Sequence, residues 1–226
     1  MNLASPIRRI FDLSLPVDAT LPVFPGDPVP GVRPAATLER DGFNLLHVSM
    51  GSQTGTHVDA PYHVRADGAR VDELDLSLLV APATIVDLRG RPPRSPIRWA
   101  DLAPYAGALA PGRMLVLHTD WSGRNHSRSL LDHPFLDVEA ARRVVAAGVR
   151  TVGTDAMNID ESLPHAVAPP PLPAHHVVLG AGGVIAENLT NLDAVDFPDP
   201  LVSLLPIRLT GADGAPVRAV AMQLAP

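Results

Sequence analysis

Prolines limit what this chain can build: 25 of its 226 residues are proline and 17 are glycine. They gather in connectors, PVFPGDPVPGVRP (22–34), RGRPPRSP (89–96) and HAVAPPPLPAHH (165–176), and leave short uninterrupted runs between them. Proline cannot donate to a ladder and breaks a helix interior, so central strands and long helices must fit in the gaps. The gaps hold runs rich in valine, isoleucine and leucine that read as strands: ATIVDL (83–88), RMLVLHT (113–119), VRTVGTD (149–155), GGVIAENL (182–189), PLVSLLPIRL (200–209) and VRAVAMQL (217–224). GADG (211–214), between the last two, has the composition of a hairpin turn. With 46% hydrophobic and 19% charged residues, the connectors punctuate a packed chain and do not signal disorder.

One helix is well marked in DVEAARRVVAAG: Asp137 can cap it, Ala141, Val144 and Val145 share a face, and Gly148 supplies the stop. Strand 113–119, helix 138–147 and strand 149–154 then form a parallel crossover unit. The class is α/β with more sheet than helix. The length fits a single domain spanning 1–226, and no period of 20 to 50 residues repeats.

Composition also removes whole classes of chemistry. There is no cysteine, so disulfides, thiolate metal sites and cysteine nucleophiles are excluded. A net charge of -6 gives no electrostatic reason to expect nucleic acid. MNLASPIRRIFDL has no apolar stretch long enough for a signal peptide, and no segment reaches bilayer length, so a cytoplasmic protein without membrane partners is expected.

Histidine and carboxylate must therefore carry any metal chemistry, and QTGTHVDAPYH (53–63) concentrates both. His57 and Asp59 are one residue apart, so on an extended segment they project from the same face. His63 follows beyond Pro61, which stiffens the chain; Gly55 permits close backbone approach, and Thr54 and Thr56 can hydrogen-bond the turn or a ligating carboxylate. The plain alternative is a polar loop whose histidines meet backbone carbonyls. A second cluster, His175 and Glu187, flanks AHHVVLGAGGVIAENL, read as a strand-like run whose glycines let the chain turn back. His176 competes with His175, and strand alternation admits only one of them, with the spacing favouring His175. Elsewhere, His47 reads as a packed, hydrogen-bonded residue. His118, Asp120 and Asp155 stand at strand ends, where open sheets place ligands, although Asp155 can equally cap a turn. His126, His133 and His165 read as facing solvent.

The loop resembles the signature H-x-G-T-H-x-D-x-P-x-H of the cyclase superfamily of metal-dependent hydrolases, which includes bacterial kynurenine formamidases and isatin hydrolases. Gly55, Thr56, His57, Asp59, Pro61 and His63 match it, and Gln53 stands where the family has its first histidine. FDLSLPV and PVFPGDP, HTDWS (118–122), VGTDAMNIDE (152–161) and AHHVVLGAGGVIAENLTNL (174–192) extend the resemblance in order along nearly the whole chain. It implies a swivelling β/β/α sandwich, usually assembled as a homodimer or larger homo-oligomer. It further implies that His57, Asp59, His175 and Glu187 hold divalent metal, zinc or manganese, with both carboxylates shared between two ions. An amide oxygen is a weaker zinc ligand than imidazole, which leaves three outcomes: Gln53 ligates weakly, the first ion is lost while the second stays, or the site has moved to another role. His63 would be the proton donor and acceptor, and Phe24 a substrate contact.

A divalent ion lowers the pKa of a water it binds to about 7 and polarises carbonyls. The expected reaction is hydrolysis of an amide-type C–N bond in a small molecule, an N-formyl arylamine such as N-formylkynurenine or a lactam such as isatin. Two rivals stand beside it: a biosynthetic cyclase or dehydratase on the same scaffold, and a small-molecule-binding protein that has lost its catalytic metal. A serine hydrolase is disfavoured because no G-x-S-x-G occurs. GAGGVIA (180–186) is similar to a dinucleotide fingerprint but has too little chain after it for a nucleotide domain.

Overall fold

The β-branched runs between the proline clusters do form strands, where such side chains pack well on a pleated surface. The computed structural model describes residues 6–124, 127, 129–163 and 171–225. Its strands in chain order are β1 (Ile7–Asp12), β2 (Gly31–Ala36), β3 (Leu45–Ser49), β4 (His57–Asp59), β5 (Val80–Asp87), β6 (Pro96–Ile97), β7 (Met114–His118), β8 (Phe135–Leu136), β9 (Thr151–Thr154), β10 (Val184–Glu187), β11 (Leu201–Ser203), β12 (Gly214–Pro216) and β13 (Val220–Leu224). Helices are few: α1 (Leu38–Asp41), α2 (Trp99–Leu102), α3 (Val138–Ala146) and α4 (Pro173–Gly180), with short 3-10 turns between.

Nine strands join one sheet in the order β1-β13-β11-β5-β7-β9-β10-β4-β12. Its centre, β5-β7-β9-β10, is parallel, and both flanks are antiparallel. The crossover from β7 to β9 runs through α3 as expected, with Asp137 accepting hydrogen bonds from the backbone N–H of Glu139 and Ala140. A central strand buried on both faces shows alternation between two cores rather than between core and solvent. Met114 and Val116 enter one core with Leu13, Val58, Val184, Ala186, Val202 and Ala221. Leu115 and Leu117 enter the other, where Ala140, Ala141 and Val144 of α3 and Val178 and Leu179 of α4 cover the sheet. The strand-rich α/β sandwich expected from the sequence is therefore present, with helices on one face and strands from both flanks closing the other.

Three local readings change. The run 174–189 is not strand throughout: its first half is α4, with Pro173 in the first turn and Ala174, His175, Val178 and Leu179 buried at helical spacing. Gly183 makes the tight exit to β10, because a Cβ there would lie 2.3 Å from the carbonyl of Arg150. Strand 200–209 shortens to Leu201–Ser203, since Pro206 cannot donate to a ladder. GADG does not simply join β11 to β13; it leads into β12, which leaves those neighbours to pair with β4. Apart from the main sheet, β2 and β3 form a two-stranded ribbon of their own.

Candidate metal centre

Strand register assembles the site. Val58 enters the strand-side core, so His57 and Asp59, its neighbours on β4, point the other way, toward the helices. On β10, Ala186 pairs with Val58 and Glu187 with His57, and opposed residues share a face. Glu187 is thereby placed beside His57 across the ladder. From above, α4 lowers His175 onto the same spot. His57, Asp59 and Glu187 each present a ligand atom within 4.8 Å of the others. His175 joins them through both carboxylates, its Nε2 3.6 Å from Asp59 Oδ2 and 3.5 Å from Glu187 Oε1. His57 Nε2 faces the other two oxygens, 3.5 Å from Asp59 Oδ1 and 3.6 Å from Glu187 Oε2. Each carboxylate thus offers one oxygen to each imidazole.

The tautomers follow from what stands behind each ring. His57 Nδ1 meets the carbonyl of Gly55 at 2.8 Å, and His175 Nδ1 meets Asp160 Oδ2 at 2.7 Å. Both partners accept only, so Nδ1 carries a proton in each ring, and Nε2 is the nitrogen that faces the carboxylates, with a lone pair for a cation that displaces any proton held there. The Nε2 to oxygen separations are too long for hydrogen bonds. They are close to the spacing of two ligands on one tetrahedral ion with bonds of about 2.0–2.1 Å. Both oxygens of Asp59 are buried without a hydrogen-bond partner, and a buried carboxylate left so is costly unless a cation compensates it. The donor set fits a divalent metal.

The same crowding sets the titration behaviour. Burial raises Glu187, and repulsion from Asp59 adds to it, to about 7. Burial opposes the charged form of His175, yet its hydrogen bond to Asp160 and the nearby carboxylates of Asp59 and Glu187 prevail and push it up to about 10. Burial would raise Asp59 as well, but His57, His175 and His63 hold it below the ordinary carboxylate value.

His63, half-buried at the end of a 3-10 turn begun by Pro61, leans toward the centre with its ring centroid 5.7 Å from that of His175. Its Nδ1 lies 3.0 Å from Asp213 Oδ2. Burial alone would lower His63; the hydrogen bond to Asp213 and the charge of Asp59 raise it instead. Gln53 Nε2 donates to the same Asp213 oxygen at 3.0 Å, and Ser52 Oγ donates to Oδ1 at 2.8 Å. Gln53, Phe24, Asp27, Asn188 and the four convergent residues line one cavity of about 200 Å³. A cavity of roughly 150 Å³ takes a benzene ring, so this one admits a single small aromatic molecule.

The sequence reading missed Asp213 and Asp160, which orient His63 and His175. Asp213 carried a signal only as a turn residue, and Asp160 none beyond its place in a polar stretch. His176 is exposed and His175 buried, as chosen, but helix periodicity rather than strand alternation separates them. His47 is exposed on β3, so it is not packed. His133 does not face solvent: it is buried, with Nε2 2.8 Å from Ser162 Oγ and Nδ1 3.0 Å from the carbonyl of Pro134. His118, Asp120 and Asp155 stand at strand ends but do not line the cavity. Asp155 instead fastens the turn after β7 by accepting from Thr119 and from the backbone of Trp121. His126 and His165 lie outside the described residues.

Comparison with known proteins places the chain among relatives in sequence and fold. A kynurenine formamidase of Geobacillus thermodenitrificans is 32% identical over 209 residues, covering 92% of this chain and 94% of that protein. Isatin hydrolase A from Ralstonia solanacearum superposes with a TM-score of 0.85 at 23% identity, covering 95% and 91% of the two chains, and supports the fold. A protein from Bacillus stearothermophilus titled "predicted metal-dependent hydrolase" has a TM-score of 0.74 at 25% identity, over 95% and 98%. The model of the Cyclase family, described as "Putative cyclase", matches residues 11–161, and the chain belongs to that family.

Proposed function

We propose that this chain hydrolyses an amide-type C–N bond in a small aromatic substrate, an N-formyl arylamine such as N-formylkynurenine or a lactam such as isatin, with divalent metal. The observation that carries the reading is the Asp59 carboxylate, buried without a hydrogen-bond partner between two imidazoles whose Nε2 atoms face it. The relatives named kynurenine formamidase, matched over nearly their full length, support the substrate class.

His57, Asp59, His175 and Glu187 would hold zinc or manganese. Bound there, the metal supplies Lewis-acid polarisation of the scissile carbonyl and acidifies a water. The chain's own residues supply the rest. Hydrolysis places the hydroxyl of water on the acyl carbon and its proton on the departing nitrogen. With Nδ1 committed to Asp213, His63 Nε2 is the atom left to take that proton and return it to the amine, and imidazole titrates in the range this needs. Asp213 fixes the tautomer and steadies the protonated ring. Phe24, on the cavity wall, would stack on the substrate's ring.

No helix among the described residues is long and apolar enough to cross a membrane, and the proposed setting is the cytoplasm. A homodimer or larger assembly is part of the same proposal, supported by the apolar ribbon β2–β3. The deciding experiment strips the protein with a chelator, restores zinc or manganese, and follows N-formylkynurenine and isatin by absorbance. Metal-dependent loss of either substrate is expected. A protein that binds neither ion and hydrolyses neither compound would sink the proposal.

A further inference from the structure

Gln53 repeats, with an amide, the pattern that the two histidines set. His57 and His175 each spend Nδ1–H on an oxygen behind the ring and turn Nε2 to the carboxylates. Gln53 is tied back in the same way: Nε2 donates to Asp213 Oδ2 at 3.0 Å. An ionised carboxylate only accepts, so it fixes which end of the amide is nitrogen; a flipped amide would set oxygen against oxygen. The 3.2 Å approach of Nε2 to His63 Nδ1 is then two donors meeting at one acceptor. Gly214 leaves the slot in which the amide lies, since a Cβ there would come within 2.5 Å of Nε2.

The other end of the amide, Oε1, meets no hydrogen-bond donor among the described residues. Four buried side-chain polar atoms lack a partner among the described residues, and three of them are oxygen acceptors: Gln53 Oε1, Asp59 Oδ1 and Asp59 Oδ2. Gln53 and Asp59 line the same cavity; the fourth atom, Arg91 Nε, belongs to a residue outside it. A neutral amide oxygen buried unpaired is costly, and in the cavity that also holds the unpaired carboxylate oxygens one cation can satisfy all three.

We infer that Gln53 supplies its amide oxygen as a further ligand of the cation centre, giving two imidazole nitrogens against five oxygens, an oxygen-rich set that favours a harder ion such as Mn²⁺ over Zn²⁺ relative to a centre with a third imidazole. The inference rests on the metal-dependent reading above. Imidazole suits zinc, whereas carboxylate and carbonyl oxygens suit manganese and magnesium, so this one position tunes which ion the protein keeps.

The test measures metal binding directly, without turnover. Chelator-stripped wild type, Gln53→Met and Gln53→His are titrated with Mn²⁺, followed by the paramagnetic resonance of the free ion, and with Zn²⁺ in competition; circular dichroism confirms the fold. Methionine keeps the size and removes the oxygen, and Mn²⁺ affinity or stoichiometry is expected to fall at least about tenfold, within the range for loss of a supporting group at a metal site. Gln53→His is expected to move the Zn²⁺ to Mn²⁺ preference toward zinc by about tenfold or more. Should methionine unfold the chain, the histidine variant decides alone, and an unchanged preference overturns the inference. Unchanged Mn²⁺ binding in a folded Gln53→Met does the same while leaving the hydrolase reading intact. Failure of the wild type to bind either ion overturns both.

Discussion

His63 and Asp213 divide one task at the residue scale. If the imidazole moves the proton, His63→Ala lowers kcat by roughly 10²–10⁴-fold, the usual contribution of general acid–base catalysis, while metal content by elemental analysis stays at the wild-type level. Asp213→Asn is expected to cost less, since the ring and its Nε2 remain and only the tautomer is released. Comparable metal content with undiminished kcat in His63→Ala would remove His63 from the mechanism. The raised groups of the centre make a second prediction for the stripped protein. Glu187, pushed up to about 7, and His175, pushed up to about 10, hold protons in the folded chain that the unfolded chain has already released. Stability present below the unfolded values of 4.5 and 6.5 is then lost as pH climbs toward the folded ones. The thermal midpoint of the metal-free protein should fall from about pH 5 to about pH 9, and Glu187→Gln should flatten the lower half of that fall. Metal displaces these protons, so the gain in midpoint on adding metal should grow with pH; a midpoint rising with pH in the stripped protein would contradict the assignment.

At the scale of elements, what the sequence disclosed is what local patterning carries. The crossover around α3 was legible because its cap, apolar face and stop lie within a dozen residues, and His57 with Asp59 because spacing of two on an extended segment puts both on one face. The site's second half was legible only in composition. His175 and Glu187 sit on different elements, and an apolar run of this length with glycines reads equally as strand or buried helix. Proline at 173 and apolar Ala174, Val178 and Leu179 at helical spacing were the sequence signs of α4, and those three are buried with His175. Asp213 was invisible for a different reason: its partner is 150 residues away, and β12 brings it there by pairing with β4. That pairing yields a prediction for the element. Gly214 lies opposite Asp59 in the ladder, and a Cβ on it would sit 2.7 Å from the carbonyl of Val58 as well as against Gln53. Backbone cannot step aside as a flexible side chain can, so Gly214→Ala should cost about 1–3 kcal/mol. For a chain of this size that is a fall of very roughly 2–12 °C in thermal midpoint by calorimetry. A midpoint unchanged within a degree would mean that β12 yields freely, and that the slot around Gln53 is not rigid.

For the whole molecule, the ribbon β2–β3 is the part that a single chain leaves unfinished. Leu45 and Leu46 are adjacent and so point to opposite faces, yet they are 54% and 59% exposed. Val29, Leu38, Phe43 and Val48 extend the bare apolar surface. A two-stranded ribbon is marginally stable alone in water, and a contiguous apolar patch on a soluble chain marks an interaction surface. The sequence concealed this, because strand-like apolar residues look the same whether they enter a core or a neighbour. The proposed homodimer would cover the ribbon with a second copy, and the ribbon's links to cavity-lining residues would then tie assembly to catalysis. The chain enters β2 from Pro22, Val23, Phe24 and Asp27, which line the cavity, and leaves β3 toward Gln53, which lines it too. Leu46→Asp should therefore convert the dimer to monomer in sedimentation velocity at micromolar concentration. It should also raise KM more than it lowers kcat, since the substrate wall is loosened while His57, Asp59, His175 and Glu187 stay anchored in the main sheet and α4. A wild-type chain that sediments as a monomer, with KM unaffected by the substitution, would show that the ribbon neither joins copies nor supports the cavity.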